Sequence, residues 1–362
     1  MTAPKAAAGT GEHDRPVPGA VQREAWAAGL LPPVEQVRPD LWSIPVPLPN
    51  NPLRYVLVYA LAHDDGLALI DAGWDTNTAW QTLIDGVRTT GHEIRDVTAV
   101  IATHVHPDHY GLAHRIRQAS GAWVALHPAD ARLLEPDSTV DLPPLVTAAR
   151  ELFASSGAPE VDVSPALIAD AAHYLTPTEP PDRPLTDGQQ LRFGRRTLTV
   201  VHTPGHTPGH VCLHDRDDQV LFTGDHVLPR ITSTVGLHSR PDHDALGQFL
   251  SSLARIAELA DNVGEVLPAH EYRFTGLLRR VDDLLAHHEE RLTATRRAVA
   301  SHTGRTAWQV AQHLDWARPW DDIDPIMQRL AAAETLAHLV LLRHRGHVQG
   351  TAEWPRTWSV RP

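Results

Sequence analysis

The stretch "IATHVHPDHYG", residues 101–111, places His104, His106, Asp108 and His109 within six residues, directly after an apolar run. In an extended chain, residues i and i+2 point to the same side, so His104 and His106 can converge on one metal ion. Pro107 then turns the chain and directs Asp108 and His109 elsewhere, towards a neighbouring ion. The stretch therefore predicts a buried strand that ends in a metal-binding loop.

Three later motifs extend this cluster. "TPGHTPGH", "LFTGDH" and "LPAHEY" supply His206, Asp225 and His270, each at the end of an apolar strand, where ligands gather in layered α/β folds. A carboxylate such as Asp225 can bridge two cations, and two-metal sites hold their ions roughly 3.5–4 Å apart. Imidazole and carboxylate ligands without thiolate favour two Zn²⁺ ions, with Mn²⁺, Fe²⁺ or Ni²⁺ as alternatives.

The rest of the chain alternates between strand and helix patterns, which indicates an α/β fold. Residues 129–188 interrupt this pattern and are predicted to form a helical insertion, with helices at 145–157 and 165–175. Strands are predicted at 41–49, 54–63, 66–74, 97–104, 122–128, 189–205, 210–215, 219–228 and 264–270, and helices at 76–91, 107–119, 242–260 and from 276 to about 300.

Composition bounds the classes of function. The net charge of −12 makes the whole chain poorly suited to non-specific binding of phosphate backbones. Cys212 is the single cysteine, so no disulfide can form within the chain. Residues 1–25 are predicted to be a flexible tail without a signal-peptide core, and no run approaches the roughly 18 apolar residues of a membrane span. These features predict a cytoplasmic protein that does not enter the membrane.

The ordered set of motifs resembles the metallo-β-lactamase-fold hydrolases, whose pattern is HxHxDH, a later His, a bridging Asp and a final His. This resemblance implies an αββα sandwich with the metals at one edge. Asp71 in "LIDAG" matches a further family motif, an aspartate that supports the ligand loop. The implied first site is His104, His106, His206 and Asp225, and the implied second site is Asp108, His109, Asp225 and His270.

The resemblance also divides the chain. A catalytic domain is predicted over 26–275, with "TPGHTPGH" most similar to the glyoxalase-II-type, thioesterase-like branch. Residues 276–362 resemble the winged-helix appendage of LACTB2-like proteins, with helices followed by a terminal β-wing. The expected fold is therefore a metallo-β-lactamase sandwich with a helical insertion and a small C-terminal winged-helix-like domain.

Four residues near the motifs receive individual roles. Asp108 is expected both to bind metal and to orient the nucleophile or carry its proton. Tyr272 is a candidate to reach the substrate or the oxyanion, against the alternative of a partly buried structural tyrosine. His226 is expected to support a ligand by hydrogen bonding, with direct metal binding as the alternative. His210 is expected to pack or hydrogen-bond beneath the site.

The favoured function is hydrolysis in which a metal-bridging hydroxide attacks the acyl carbon of a thioester, ester or lactone. The substrate would be small or carrier-bound, and the insertion could form a lid over it. The alternative is a LACTB2-like endoribonuclease or phosphodiesterase. Residues 276–362 contain 12 Arg against 10 Asp and Glu, a weak footprint for binding nucleic acid, so this function ranks second.

A third, non-enzymatic hypothesis assigns the metals a structural role. The C-terminal part would then bind a partner or form a homodimer. Structural zinc sites are usually closed and tetrahedral, whereas a seven-ligand, two-metal site leaves positions for solvent. This difference ranks the structural hypothesis below both hydrolytic ones.

Overall fold

The computed structural model describes residues 17–135, 144–159, 179–236 and 240–361. Within them, two β-sheets lie face to face, and helices cover the outer side of each sheet. This arrangement confirms the predicted αββα sandwich. The predicted helix at 165–175 lies outside the described residues.

The first sheet has seven strands in chain order. Its first four strands pair antiparallel, and the pairs from β4 to β7 are parallel, so the carboxyl ends of β4, β5 and β6 lie at one edge. The strands are β1 (Glu35–Arg38), β2 (Leu41–Pro47), β3 (Tyr55–His63), β4 (Gly66–Ile70), β5 (Val97–Ile101), β6 (Trp123–Leu126) and β7 (Arg183–Pro184).

The second sheet has five strands in the order β12-β11-β10-β9-β8. All of its pairs are antiparallel except β11 with β12, which is parallel and brings two strand ends to the same edge. The strands are β8 (Gln190–Phe193), β9 (Arg196–His202), β10 (Val211–Asp215), β11 (Val220–Gly224) and β12 (Glu265–Pro268).

Helices flank both sheets, and a short antiparallel hairpin, β13 (Val348–Gly350) with β14 (Trp358–Val360), follows the last of them. No helix in the described residues is long and apolar enough to span a membrane. The α-helices are α1 (Ala20–Ala28), α2 (Asn77–Thr89), α3 (Pro107–Tyr110), α4 (Ala113–Ser120), α5 (Pro128–Ala131), α6 (Pro144–Ser156), α7 (Ala245–Ala257), α8 (Leu277–Ser301), α9 (Ala307–Ala311) and α10 (Pro325–His344).

The strands bury both of their faces because side chains alternate across a sheet. Leu57 and Tyr59 of β3 point into the core between the sheets, whereas Val56 and Val58 point into the core beneath the outer helices. Both faces are therefore apolar, which explains why the strand sequences read as continuous hydrophobic runs.

The C-terminal helices share a core with the second sheet. One cluster of buried side chains includes Leu221 of β11, Phe249 of α7, Leu284 of α8 and Leu339 of α10. Helices and a terminal hairpin thus occur where the sequence predicted them. The winged-helix class of this part and the domain boundary at 275 stay predictions.

Three predicted elements differ from the structure. The predicted tail over 1–25 overlaps α1, because Gln22 and Trp26 are buried and fix that segment. The helix predicted over 107–119 is broken between α3 and α4, where the Leu112 amide donates to the Gly73 carbonyl instead of continuing the helix. The strand predicted over 189–205 is a hairpin that turns at Gly194, whose φ is 55°.

A buried histidine pair between α8 and α10 predicts loss of stability in acid. His288 Nδ1 lies 3.4 Å from His338 Nε2. Burial lowers the pKa of His288 to about 3 and that of His338 to about 4. The unfolded chain, with histidine pKa near 6.5, takes up protons first. The free energy of unfolding should therefore fall as pH drops from about 6.5 to about 4, by up to about 1.4 kcal/mol per pH unit for each histidine.

Urea unfolding of His338→Gln between pH 7.5 and 5 measures this effect. The variant should show a shallower dependence of unfolding free energy on pH than the unsubstituted protein. His347→Gln, which replaces an exposed histidine, is the matched control and should leave the slope unchanged. Equal slopes in all three proteins would contradict the prediction.

Candidate metal centre

The first group of candidate ligands has three imidazole nitrogens at one point. His106 Nδ1 lies 2.9 Å from His104 Nε2, and His206 Nε2 lies 3.0 Å from His106 Nδ1 and 3.2 Å from His104 Nε2. Ligands that bind one tetrahedral Zn²⁺ at about 2.0–2.1 Å stand about 3.3 Å from each other. The three nitrogens therefore have the mutual spacing of ligands to a single ion.

The second group comprises Asp108, His109 and His270. Asp108 and His109 lie in the short helix α3 after β5, and His270 lies just after β12. Asp108 Oδ2 lies 3.2 Å from His270 Nε2 and 3.6 Å from His109 Nε2. All three residues are buried. One carboxylate and two imidazoles thus face a second point.

Asp225 lies between the two groups. Its Oδ2 is 3.6 Å from His206 Nε2, whereas its Oδ1 is 3.5 Å from His109 Nε2 and 3.3 Å from His270 Nε2. Asp225 Oδ1, His109 Nε2 and His270 Nε2 are buried, and among the described residues they make no hydrogen bond of normal geometry. Buried polar atoms need partners, so their convergence fits a pair of divalent cations.

The charges of the site set the pKa values of its members. Burial by itself lowers the pKa of His109, but the carboxylates of Asp108, Asp71 and Asp225 outweigh it and raise that pKa to about 9. His270 behaves in the same way beside Asp225 and Asp108. Burial favours protonated Asp225, yet the facing His270 and His109 hold its pKa well below its usual range. Because metal ligands must be deprotonated, metal uptake here should release protons.

Four candidate ligands are oriented through their other ring nitrogen. Such contacts fix the tautomer and leave Nε2 directed into the site. The Nδ1 atoms bond as follows: His104 with Thr103 Oγ1 at 3.1 Å, His109 with Asp71 Oδ2 at 2.9 Å, His206 with the Thr234 carbonyl at 2.7 Å, and His270 with the Tyr55 carbonyl at 2.9 Å.

Asp71 connects the end of β4 to the ligand loop. Its carboxylate accepts hydrogen bonds from the backbone amide and hydroxyl of Thr103, at 2.8 and 3.0 Å, and contacts His109. Its φ of 62° lies in the left-handed region, which costs energy for a non-glycine residue. Asp71 thus contacts both Thr103 and the candidate ligand His109, and its role as a support for a metal site stays a prediction.

His210 lies beneath the first group. Its Nε2 accepts a hydrogen bond from the Asp225 amide at 3.2 Å, so the ring proton is on Nδ1, which donates to Thr203 Oγ1 at 2.8 Å. Gly224 lets this contact form, because a Cβ there would lie 2.7 Å from His210 Nε2. The structure therefore places His210 as a support for the Asp225 backbone.

His226 and Tyr272 lie outside both ligand groups. The His226 ring packs edge-on against Phe249 at 4.7 Å, and burial lowers its pKa to about 3. Tyr272 is half-buried at the rim of the core between the sheets. Burial and Glu271 raise its pKa, while Arg230, Arg23 and Arg280 act against them. A catalytic role for Tyr272 stays a prediction.

Asp130 is the supporting residue that the sequence did not reveal. Its fully buried carboxylate accepts hydrogen bonds from the Val105 amide at 2.9 Å, the Thr207 hydroxyl at 2.7 Å and the Gly209 amide at 2.5 Å. Burial raises its pKa to about 6 despite these bonds. Asp130 therefore joins the loop of His104 and His106 to the loop of His206.

The sandwich and its edge define a class of proteins in which loops at one end of two packed sheets gather histidines and carboxylates that can bind divalent metal ions. The sequence comparison identifies the family. The model of the metallo-beta-lactamase superfamily matches residues 51–270, and the chain belongs to this superfamily.

Individual relatives agree with this assignment. The acyl-coenzyme A thioesterase MBLAC2 of Gallus gallus is 33% identical over 173 residues, 47% of this chain and 55% of that protein. The atrochrysone carboxyl ACP thioesterase of Aspergillus fumigatus is 28% identical over 172 residues, 45% of this chain and 38% of that protein. The chain thus matches about half the length of the first relative and less of the second.

A solved structure covers far more of the chain. The metallo-beta-lactamase family protein TTHA1429 from Thermus thermophilus superposes with a TM-score of 0.75 at 30% sequence identity. The match covers 90% of this chain and all of that one. The C-terminal helices of this chain must therefore lie partly within the shared structure.

Proposed function

We propose that the protein is a binuclear metal-dependent thioesterase that cleaves acyl groups from a small or carrier-bound thiol. The observation that carries the proposal is the position of Asp225, whose two oxygens face two separate sets of imidazole and carboxylate atoms. When bound, two divalent ions, Zn²⁺ by ligand type, would polarise the thioester carbonyl and lower the pKa of water. Two relatives named as thioesterases of acyl-coenzyme A and of an acyl carrier protein support the substrate class.

Different residues of the chain would bind the two ions and accept the proton of the attacking water. His104, His106 and His206 would hold the first ion, and Asp108, His109 and His270 the second, with Asp225 shared between them. Asp108 Oδ2 faces the second position from its rim, and neighbouring His109 and His270 keep its pKa low. An ionised carboxylate there would orient the attacking water and accept its proton.

The support network would keep this geometry rigid. Asp71 and Asp130 hold the loop that carries His104 and His106 at two points, the Thr103 amide and the Val105 amide respectively. Because these supports are buried and hydrogen-bonded, the ligands would need little rearrangement when ions bind. A preorganised site of this kind suits stabilisation of the oxyanion that forms during acyl transfer.

A substrate panel tests the proposal. Zinc-loaded protein is assayed with acyl-coenzyme A thioesters, lactones, a phosphodiester and RNA. We expect hydrolysis of the thioesters, and we expect His104→Ala to abolish it because the first ion loses a ligand. Cleavage of RNA that disappears in His104→Ala, without thioester hydrolysis in the unsubstituted protein, would instead support the nuclease alternative.

A further inference from the structure

Three arginines from separate segments surround the loop that follows His270. Arg23 lies on α1, Arg230 lies in the segment after Asp225, and Arg280 lies in the first turn of α8. The loop contains Tyr272, two residues from a candidate metal ligand, a distance of at most about 7 Å along the backbone. The loop that these arginines surround therefore begins next to a candidate metal ligand.

Arg23 is held beside this loop by its neighbours on α1. Gln22 Oε1 accepts a hydrogen bond from the Arg273 amide at 3.0 Å. Gly19, with a φ of 70°, abuts the Arg273 carbonyl so closely that a Cβ would overlap it. Arg23 itself is exposed, and in the described parts of the chain its side chain forms no ion pair or hydrogen bond. Its guanidinium is available to a ligand.

Arg230 is anchored through its backbone, which leaves its side chain available. Its amide donates to Glu271 Oε2 at 3.2 Å. Its Nε lies 3.7 Å from Glu271 Oε1, beyond hydrogen-bond distance, and its side chain is 55% exposed. Glu271 is buried, so it neutralises part of the Arg230 charge from the protein interior. The solvent-exposed side of the guanidinium remains accessible.

Arg280 connects α8 to the same segment. Its Nε donates to the Leu228 carbonyl at 2.6 Å, and its Nη2 donates to the Ile231 carbonyl at 2.7 Å. These carbonyl groups carry no net charge, so they do not neutralise the Arg280 guanidinium. Within the described ranges, no carboxylate lies at ion-pair distance from it. Arg280 is half-buried, so its charge is partly desolvated, and this burial lowers its pKa.

Backbone and side-chain contacts bring the three arginines around one loop. Helix α1 contacts Arg273 through Gln22, and the Arg230 amide donates to Glu271. The Arg280 guanidinium donates to the carbonyls on both sides of Arg230.

We propose that Arg23, Arg230 and Arg280 form an arginine subsite that binds a phosphate group of the carrier to which the acyl group is attached. This inference rests on the proposed thioesterase function. Guanidinium groups bind phosphate oxygens through paired, charge-assisted hydrogen bonds, and partial desolvation strengthens them. Coenzyme A and the prosthetic group of acyl carrier proteins share a phosphate on pantetheine.

Three thioesters with the same acyl group separate the sources of phosphate. Acyl-coenzyme A carries the pantetheine phosphate and a nucleotide, acyl-phosphopantetheine carries the pantetheine phosphate alone, and acyl-N-acetylcysteamine carries none. In Arg23→Gln with Arg230→Gln, KM for a phosphate-bearing substrate should rise about tenfold for each arginine, at a nearly constant kcat. KM for acyl-N-acetylcysteamine should stay unchanged.

The pattern among the substrates decides the outcome. A rise for both phosphate-bearing thioesters assigns the subsite to the pantetheine phosphate, and a rise for acyl-coenzyme A alone assigns it to the nucleotide phosphates. Equal effects on all three substrates, or no effect, would overturn the proposal. Arg296→Gln with Arg297→Gln, two exposed arginines on the same helix about 24–26 Å from Arg280, is the control of equal charge change and should behave as the unsubstituted protein.

Direct binding separates the subsite from the function. Isothermal titration with phosphopantetheine and with adenosine 3′,5′-bisphosphate requires no turnover. Weaker binding in the double variant, with no thioesterase activity in the unsubstituted protein, would keep the subsite and reject the proposed function. Active enzyme with equal binding in all variants would reject the subsite alone.

Discussion

Asp225→Asn is expected to leave fewer than two ions per chain and to lower kcat/KM for an acyl thioester by about 10³-fold or more. Asparagine keeps the shape of the side chain but offers one oxygen instead of two, so only one of the facing sets retains its shared ligand. Losing one Lewis acid removes several kcal/mol of transition-state stabilisation, and each 1.36 kcal/mol is tenfold in rate.

Elemental analysis of the purified variant and steady-state kinetics with excess Zn²⁺ measure the two effects separately. Asp217→Asn is the matched control, because Asp217 is exposed in the turn between β10 and β11. Circular dichroism confirms that both variants are folded. Two ions and unchanged kinetics in Asp225→Asn would show that Asp225 does not bridge the ions.

The α/β class could be predicted from the sequence because the strands carry a physical signature, whereas the αββα sandwich was implied by the family resemblance. Runs such as Tyr55–His63 are apolar on both faces, as expected for a strand that is covered on both sides of its sheet. The positions at which helices end were less predictable from the sequence. Leu112 continues an apolar helical pattern, and its amide turns to the carbonyl of Gly73, which is distant in sequence. Such a contact depends on the finished topology.

The candidate ligands could be predicted because their chemistry is rare and ordered. His104 and His106 share one side of an extended segment, and the other members follow at strand ends that the topology brings to one edge. Their supports differ in this respect. Asp71 was identified through a family motif, whereas the Thr234 carbonyl that orients His206 leaves no trace in the amino-acid type.

Asp130 is the clearest example of a residue whose role could not be predicted from the sequence. It stands in a Pro- and Ala-rich region that the sequence assigns to an insertion, and its partners lie 25 to 79 residues away. A lone aspartate after a strand has no spacing that indicates burial. Only the packing of α5 against both ligand loops gives this carboxylate three donors. The first residues of the predicted insertion therefore contact the loops that carry the candidate metal ligands.

Asp130→Ala is expected to lower the free energy of unfolding by about 3–9 kcal/mol. The substitution leaves the Val105 and Gly209 amides and the Thr207 hydroxyl buried without their acceptor, and each such loss costs about 1–3 kcal/mol. Whole domains are stable by only about 5–15 kcal/mol, so the loss is a large fraction of the total.

Urea unfolding of Asp130→Ala, Asp130→Asn and the exposed control Asp217→Ala tests this role. Asp130→Asn should be intermediate, because its amide oxygen still accepts from some of the donors while its NH₂ group opposes another. Zinc affinity should fall about 10- to 100-fold in Asp130→Asn, since the loops of His104 and His206 lose their common support. A stability loss with unchanged zinc affinity would mean that the other supports, Asp71 and the Thr234 carbonyl, orient the ligands without Asp130.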